Sequence, residues 1–136
     1  MDQPPKDFLC TAEILLDSKS CGSGPERSAI SRAYYAAFHA ALSVFRKAGK
    51  PIPCNVNSHR TVIDTFERCG GRFHIVASVL KRLRDYRNSA DYWDDEVDFT
   101  EDVDVVEQVG HATELVSLIE KIKLEMSEMK LFKSKL

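Results

Sequence analysis

The stretch Val79–Trp93 reads Val-Leu-Lys-Arg-Leu-Arg-Asp-Tyr-Arg-Asn-Ser-Ala-Asp-Tyr-Trp. Two patterns overlap in it. Val76, Val79, Leu80, Leu83, Tyr86 and Ala90 recur at steps of three and four, which places them on one face of a helix. Lys81, Arg82, Arg84, Arg87 and Asn88 fall mainly on the other. Four cations and one anion lie between Lys81 and Arg87, in a chain whose formal net charge is −2. The helix then closes on Arg-Asn-Ser-Ala-Asp-Tyr, a polar-aromatic ending that helix propensity alone does not choose.

Composition bounds what this helix can belong to. At 136 residues the chain fits one domain, 1–136, with residues 1–5 a flexible tail, and is long enough to bury a core. With 19 basic and 21 acidic residues there is no whole-molecule drive toward nucleic acid or membrane, so polyanion binding needs a local patch. No apolar run approaches the ~20 residues that span a bilayer. The start, Met-Asp-Gln-Pro-Pro-Lys-Asp, lacks the basic and apolar stretches of a secretory signal, and a cytoplasmic location is expected. Cys10, Cys21, Cys54 and Cys69 are widely spaced and form no Cys-x-x-Cys, which argues against structural zinc and a disulfide framework. No metal and no cofactor are expected.

Working outward, every segment reads as helix or loop. Lys6–Ser18 carries Phe8, Leu9, Ala12, Ile14, Leu15 and Leu16 at helical spacing. Lys19–Gly24 is a loop by composition, and Pro25 suits the first turn of a helix running to about Ala48. That helix has an apolar face, Tyr34, Phe38, Ala41 and Phe45, and a second face carrying Arg32, Tyr35 and His39, a cation, a phenol and an imidazole in a row. Its six alanines, from Ala29 to Ala41, favour helix and close approach of a neighbour. Gly49–Asn57, with two prolines, is a connection. Ser58 is the expected cap of a short helix, His59–Cys69, with Val62, Ile63 and Phe66 inward and Gly70-Gly71 as its stop. The basic helix follows, from Phe73 to about Tyr92. Asp94–Asp104 holds seven carboxylates and no cation, a solvated acidic loop that matches no calcium-binding spacing. Thr100 is the expected cap of a last helix with Val105, Val109, Ala112, Val116 and Ile119 inward, Gly110 placed for close helix packing, and an end near Lys130. The fold class is all-α, an up-and-down bundle of about five helices.

Three motifs in this order resemble the HEPN superfamily: Ser28-Ala-Ile-Ser-Arg-Ala-Tyr-Tyr-Ala-Ala-Phe-His39, then Ser58-His59-Arg60 opening a helix, then Leu83-Arg-Asp-Tyr-Arg-Asn-Ser-Ala-Asp-Tyr92. The similarity is to its small stand-alone prokaryotic branch and runs from Phe8 to about Met126. It implies a helical bundle that pairs as a homodimer, often beside a small MNT-type nucleotidyltransferase, in toxin–antitoxin or defence systems. Many such proteins are metal-independent ribonucleases; others bind RNA or nucleotides, or act as scaffolds. The family's catalytic motif is an Arg, a polar residue and, after four to six intervening residues, a His. Arg87 and Asn88 match its start, but Tyr92 stands where the His belongs. In such sites the Arg would hold the scissile phosphate and the His would act as acid or base. An unperturbed tyrosine, with a pKa near ~10, is a poor base at neutral pH. His39 or His59 would have to stand in, and nothing in the spacing brings either to Arg87.

The first expectation is therefore an RNA- or nucleotide-binding regulatory protein. In it a homodimer presents a basic cleft around Arg87, with Arg84, Arg32, Tyr35 and His39 as ligand-binding residues. The alternative is a metal-independent endoribonuclease toxin using Arg87, Asn88, Asp91 and Tyr92. A third reading is a structural helical subunit in which Arg87 pairs with Asp91 one turn on.

Overall fold

The computed structural model describes residues 5–17, 24–53, 57–91 and 104–136. Among these there is no strand. Six helices follow one another: α1 (Pro5–Asp17), α2 (Gly24–Lys47), α3 (Ser58–Cys69), α4 (Arg72–Asp91), α5 (Val105–Leu124) and α6 (Met126–Ser134). The fold is the expected all-α bundle.

The alanines explain why α2 is central. Ala29, Ala33, Ala36, Ala37, Ala40 and Ala41 are all buried, and α2 packs against α1, α4 and α5 at once. Small side chains let three neighbours approach one cylinder. α3 packs mainly on α4. The inward positions of α3 (Val62, Ile63, Phe66) and of α5 (Val105, Val109, Ala112, Val116, Ile119) are all buried. On α1, Phe8, Leu9 and Ala12 are buried, whereas Ile14 points to solvent.

The helix ends differ in detail from the expectations. α2 closes at Gly49, whose positive φ allows the amide of Lys50 to reach back to Phe45 O at 3.0 Å, a glycine-dependent C-terminal turn. α3 includes Ser58, so the cap position is Asn57, which makes no side-chain cap bond. Gly70 and Gly71, both at positive φ, stop α3 as anticipated. At α5 the cap is Asp104, whose carboxylate accepts the Glu107 amide at 2.9 Å; Thr100, the expected cap, lies outside the described residues.

The largest difference is at the C-terminal end. The chain does not run as one helix to Lys130 but breaks at Glu125, which is extended. The break turns α6 back onto the bundle. Phe132 becomes fully buried, in contact with the rings of Phe45, Phe66 and Phe73 at 5.1–5.5 Å. Arg72, at the start of α4, fixes the junction: its guanidinium meets Glu128 at 2.7–2.8 Å and Glu125 at 2.7 Å. These charge-assisted bonds hold its pKa above the usual arginine value. Gly110 is exposed, and among the described residues nothing lies near the position of a β-carbon there, so it serves no packing against them.

Candidate functional site

The site forms where the second half of α4 crosses α2 and the start of α3. Arg87 projects from α4 over two rings of α2, with its Cζ 5.3 Å from the Tyr34 centroid and 5.4 Å from that of Tyr35. Such stacking orients the plane of a guanidinium and fixes where its charge sits. One turn earlier, Arg84 lies close enough to Tyr34 and His59 for its charge to act on both. Its Nε is buried and has no hydrogen-bond partner among the described residues.

His59 is the unexpected member. It opens α3, and its Nδ1 is hydrogen-bonded to the Tyr34 hydroxyl across 25 positions of sequence. Phe38 stacks on the imidazole, with centroids 4.1 Å apart. Burial first, then the charges of Arg87, Arg84 and His39, pull the His59 pKa down to about 4. Burial pushes the Tyr34 phenol well above its ordinary value, against the pull of both arginines. At neutral pH the pair is therefore a neutral imidazole and an un-ionised phenol. Imidazole nitrogen is the better acceptor, so Tyr34 donates to Nδ1 and the ring proton resides on Nε2.

Arg27 supplies the frame. It is buried, and its Nη1 donates to the carbonyls of Ser89 at 3.1 Å and Ala90 at 3.5 Å. Those carbonyls end α4 and lack partners within the helix, so a cation there satisfies them and meets the negative helix end. The Arg84–Asn88 segment is thereby locked against α2. His39, on the far side, stacks face to face on Phe8 of α1, with centroids 5.2 Å apart.

Of the residues singled out from sequence, Arg84, Arg87 and Tyr35 come together, and His39 is within electrostatic reach of His59. Arg32 is exposed and lies outside this buried cluster. Asn88 is half-buried beside it on α4. Asp91 is the last residue of α4 and its side chain is not described; Tyr92, Trp93 and the acidic run up to Val103 lie outside the described residues. Tyr34 and Arg27, which the structure adds to this cluster, are not singled out by sequence, and His59 enters from sequence only as a stand-in for the missing motif histidine. A signal for Arg27 existed: it is a cation in the first turn of its own helix, where the dipole disfavours it. His74 is exposed, and His111 pairs with Arg82 and Glu107 away from the site.

Among the described residues no group of His, Cys, Asp and Glu is arranged to hold a metal ion, and no helix is long and apolar enough to cross a membrane. Two arginines, two phenols and a neutral imidazole are suited instead to gripping a phosphate and to exchanging hydrogen bonds with it. Neither curated proteins nor solved structures give a significant match to the chain. The sequence profile of the HEPN domain does match, over residues 6–123, which include every residue of the Tyr34–His59–Arg84–Arg87 cluster. The chain belongs to the HEPN-domain family.

Proposed function

We propose that the chain binds a phosphate group of RNA or of a nucleotide at this cluster, with Arg84 and Arg87 as its ligands, and acts as a regulatory protein of a toxin–antitoxin or defence system. Membership of the HEPN family supports a general RNA-related, nuclease-like or regulatory role. The observation that carries the narrower reading is the pair of arginines held at the α2–α3–α4 junction. Arg87 rests on aromatic faces, and Arg84 has a buried donor nitrogen without a partner among the described residues. A buried donor left unmade is costly, and an entering phosphate oxygen would satisfy it. The family resemblance adds a homodimer and a cognate MNT-type nucleotidyltransferase to the proposal.

The test is fluorescence anisotropy of a labelled single-stranded RNA with the full chain. Arg84→Ala and Arg87→Ala should each weaken binding about tenfold or more, the loss of one charge-assisted bond. Unchanged affinity in both variants would remove the reading.

The presence of His59 favours a second reading, a metal-independent endoribonuclease. Here the 2′-oxygen attacks the adjacent phosphorus, the P–O5′ bond breaks, and the products are a 2′,3′-cyclic phosphate and a 5′-hydroxyl. His59 would take the 2′-hydroxyl proton on Nε2, in the other tautomer, whose Nδ1–H donates to the Tyr34 oxygen, and the leaving oxygen would receive a proton from solvent. An imidazole with a pKa of about 4 is a weak base. A bound phosphate would offset the two arginines and raise it toward neutrality. Cleavage of RNA in EDTA by the wild type, lost in His59→Ala, would establish this reading over simple binding.

A further inference from the structure

The turn at Glu125 that returns α6 to the bundle also sorts the charges of this end. Glu125 and Glu128 are drawn to Arg72 of α4. Met126, Met129, Lys130 and Lys133 share a different face of α6, at helical spacing. With Leu124 of α5 they line a groove of about 290 Å³. Lys47, which ends α2, and Lys123 of α5 line it too, and no carboxylate is among its lining residues. Of its four lysines only Lys123 has an acidic partner, Glu120, among the described residues. Leu124 and Met126, 83% and 75% exposed, are the most exposed large apolar side chains among the described residues.

Helix ends account for part of this arrangement. Lys47, Lys123 and Lys133 lie in the last turns of three helices, where a cation meets the negative end of the dipole. Lys130 is in no last turn, and Leu124 and Met126 gain nothing from a dipole. The groove as a whole is complementary to something both acidic and apolar. No arginine and no aromatic ring lines it, so a nucleic-acid strand finds neither forked donors nor a stacking platform there. A flat bilayer would not reach into a concave groove whose third apolar member, Met129, is buried. A peptide fits both features, with apolar side chains entering the groove and carboxylates meeting the lysines. Methionine suits such a surface, because its unbranched, polarizable side chain adapts to what it packs against.

We propose that this groove docks an acidic, apolar peptide segment of a different protein. Leucine or phenylalanine side chains of the segment rest on Leu124, Met126 and Met129, and its carboxylates pair with Lys47, Lys130 and Lys133. Apolar burial supplies most of the affinity, and the charge pairing steers the encounter and rejects basic partners. The groove lies where α2 and α5 end and α6 begins, away from the Arg84–Arg87 cluster, so docking here is independent of phosphate binding.

The experiment is fluorescence anisotropy of the full chain with short labelled peptides in which Leu or Phe recurs at steps of three and four among Glu residues. Their Kd should be on the order of 10 µM. Peptides with Lys in place of Glu, or with Ser in place of Leu and Phe, should bind about tenfold more weakly or worse. Leu124→Ser and Lys130→Glu are at exposed positions and should leave the circular dichroism unchanged. Each should weaken peptide binding about fivefold or more, and Lys130→Glu should leave the affinity for single-stranded RNA unchanged. In carbon-13 methyl NMR spectra the Met126 and Met129 signals should move as peptide is added. Signals that stay in place with every acidic peptide up to about 1 mM overturn the proposal. So does peptide binding that neither variant weakens. The proposal also falls if the two methionine signals move instead with protein concentration alone, with phosphatidylserine vesicles or with RNA, which would give the groove to a second copy, a membrane or a nucleic acid.

Discussion

The single residue that most changes the chemistry of the site is His59. Its pKa is lowered, so the folded state prefers the neutral ring more strongly than the unfolded chain does. The sign follows: the stabilisation is complete above the unfolded value of ~6.5 and is lost as pH falls toward about 4. Half-exposure screens the effect, leaving about 1 kcal/mol between those limits. Urea melts of wild type and His59→Asn at pH 7 and pH 4.5 should show the wild type losing more stability than the variant; equal losses would mean that His59 titrates normally. Proton NMR of the same imidazole adds a functional reading. Its midpoint should move upward when inorganic phosphate is added, because the anion offsets Arg84 and Arg87. Arg27 acts through another segment. Arg27→Met keeps the packing volume but leaves the Ser89 and Ala90 carbonyls without this donor, a loss of about 2 kcal/mol in stability. The same change should weaken RNA binding although Arg27 is buried, and Arg27→Lys should recover part of the stability.

At the level of helices, periodicity carried most of the information and long-range partners carried the rest. Steps of three and four identified α2, α3, α4 and α5, and the inward residues assigned to α3 and α5 are the buried ones. Gly70-Gly71 marked a stop because only glycine adopts positive φ freely. The break at Glu125 had no such mark. No proline or glycine is there; the turn depends on Arg72, more than fifty residues away, and on the burial of Phe132. The site divides in the same way. Arg84, Arg87, Tyr35 and His39 stand out as charged or polar residues on helix faces. Tyr34 reads as one more residue of an apolar stripe, and its hydroxyl gains meaning only from His59, which arrives from another helix. Capping gives a direct test of how α5 begins. Asp104→Ala removes the bond to the Glu107 amide and should cost about 1 kcal/mol, measured as a shift in the urea midpoint. Asp104→Asn should cost much less. Equal effects of the two would show that charge at the helix end, rather than the hydrogen bond, is what matters there.

For the whole molecule, the decisive quantity is a charge of −2 spread over 19 basic and 21 acidic residues. A protein so balanced gains nothing from long-range attraction to a polyanion, so affinity must be local. The groove between α3 and α4 beside Arg84 makes the same point: Arg60 and Lys81 line it, but so do Asp64, Glu67 and Asp85. An RNA strand tracking that groove would meet as many anions as cations. On the proposed reading, contact would therefore be confined to the phosphate, or two, that Arg84 and Arg87 can reach. Counterion release turns this into a measurable slope. Each neutralised phosphate of a single strand contributes about −0.7 to the slope of log K against log salt, so two arginines should give about −1.4. Arg84→Ala should bring the slope to about −0.7. Binding isotherms at several salt concentrations, wild type beside variant, would check both values. A wild-type slope of about −3 or steeper would mean that four or more phosphates are engaged. The binding surface would then have to extend well beyond Arg84 and Arg87, and the confinement of contact to this pair would be wrong.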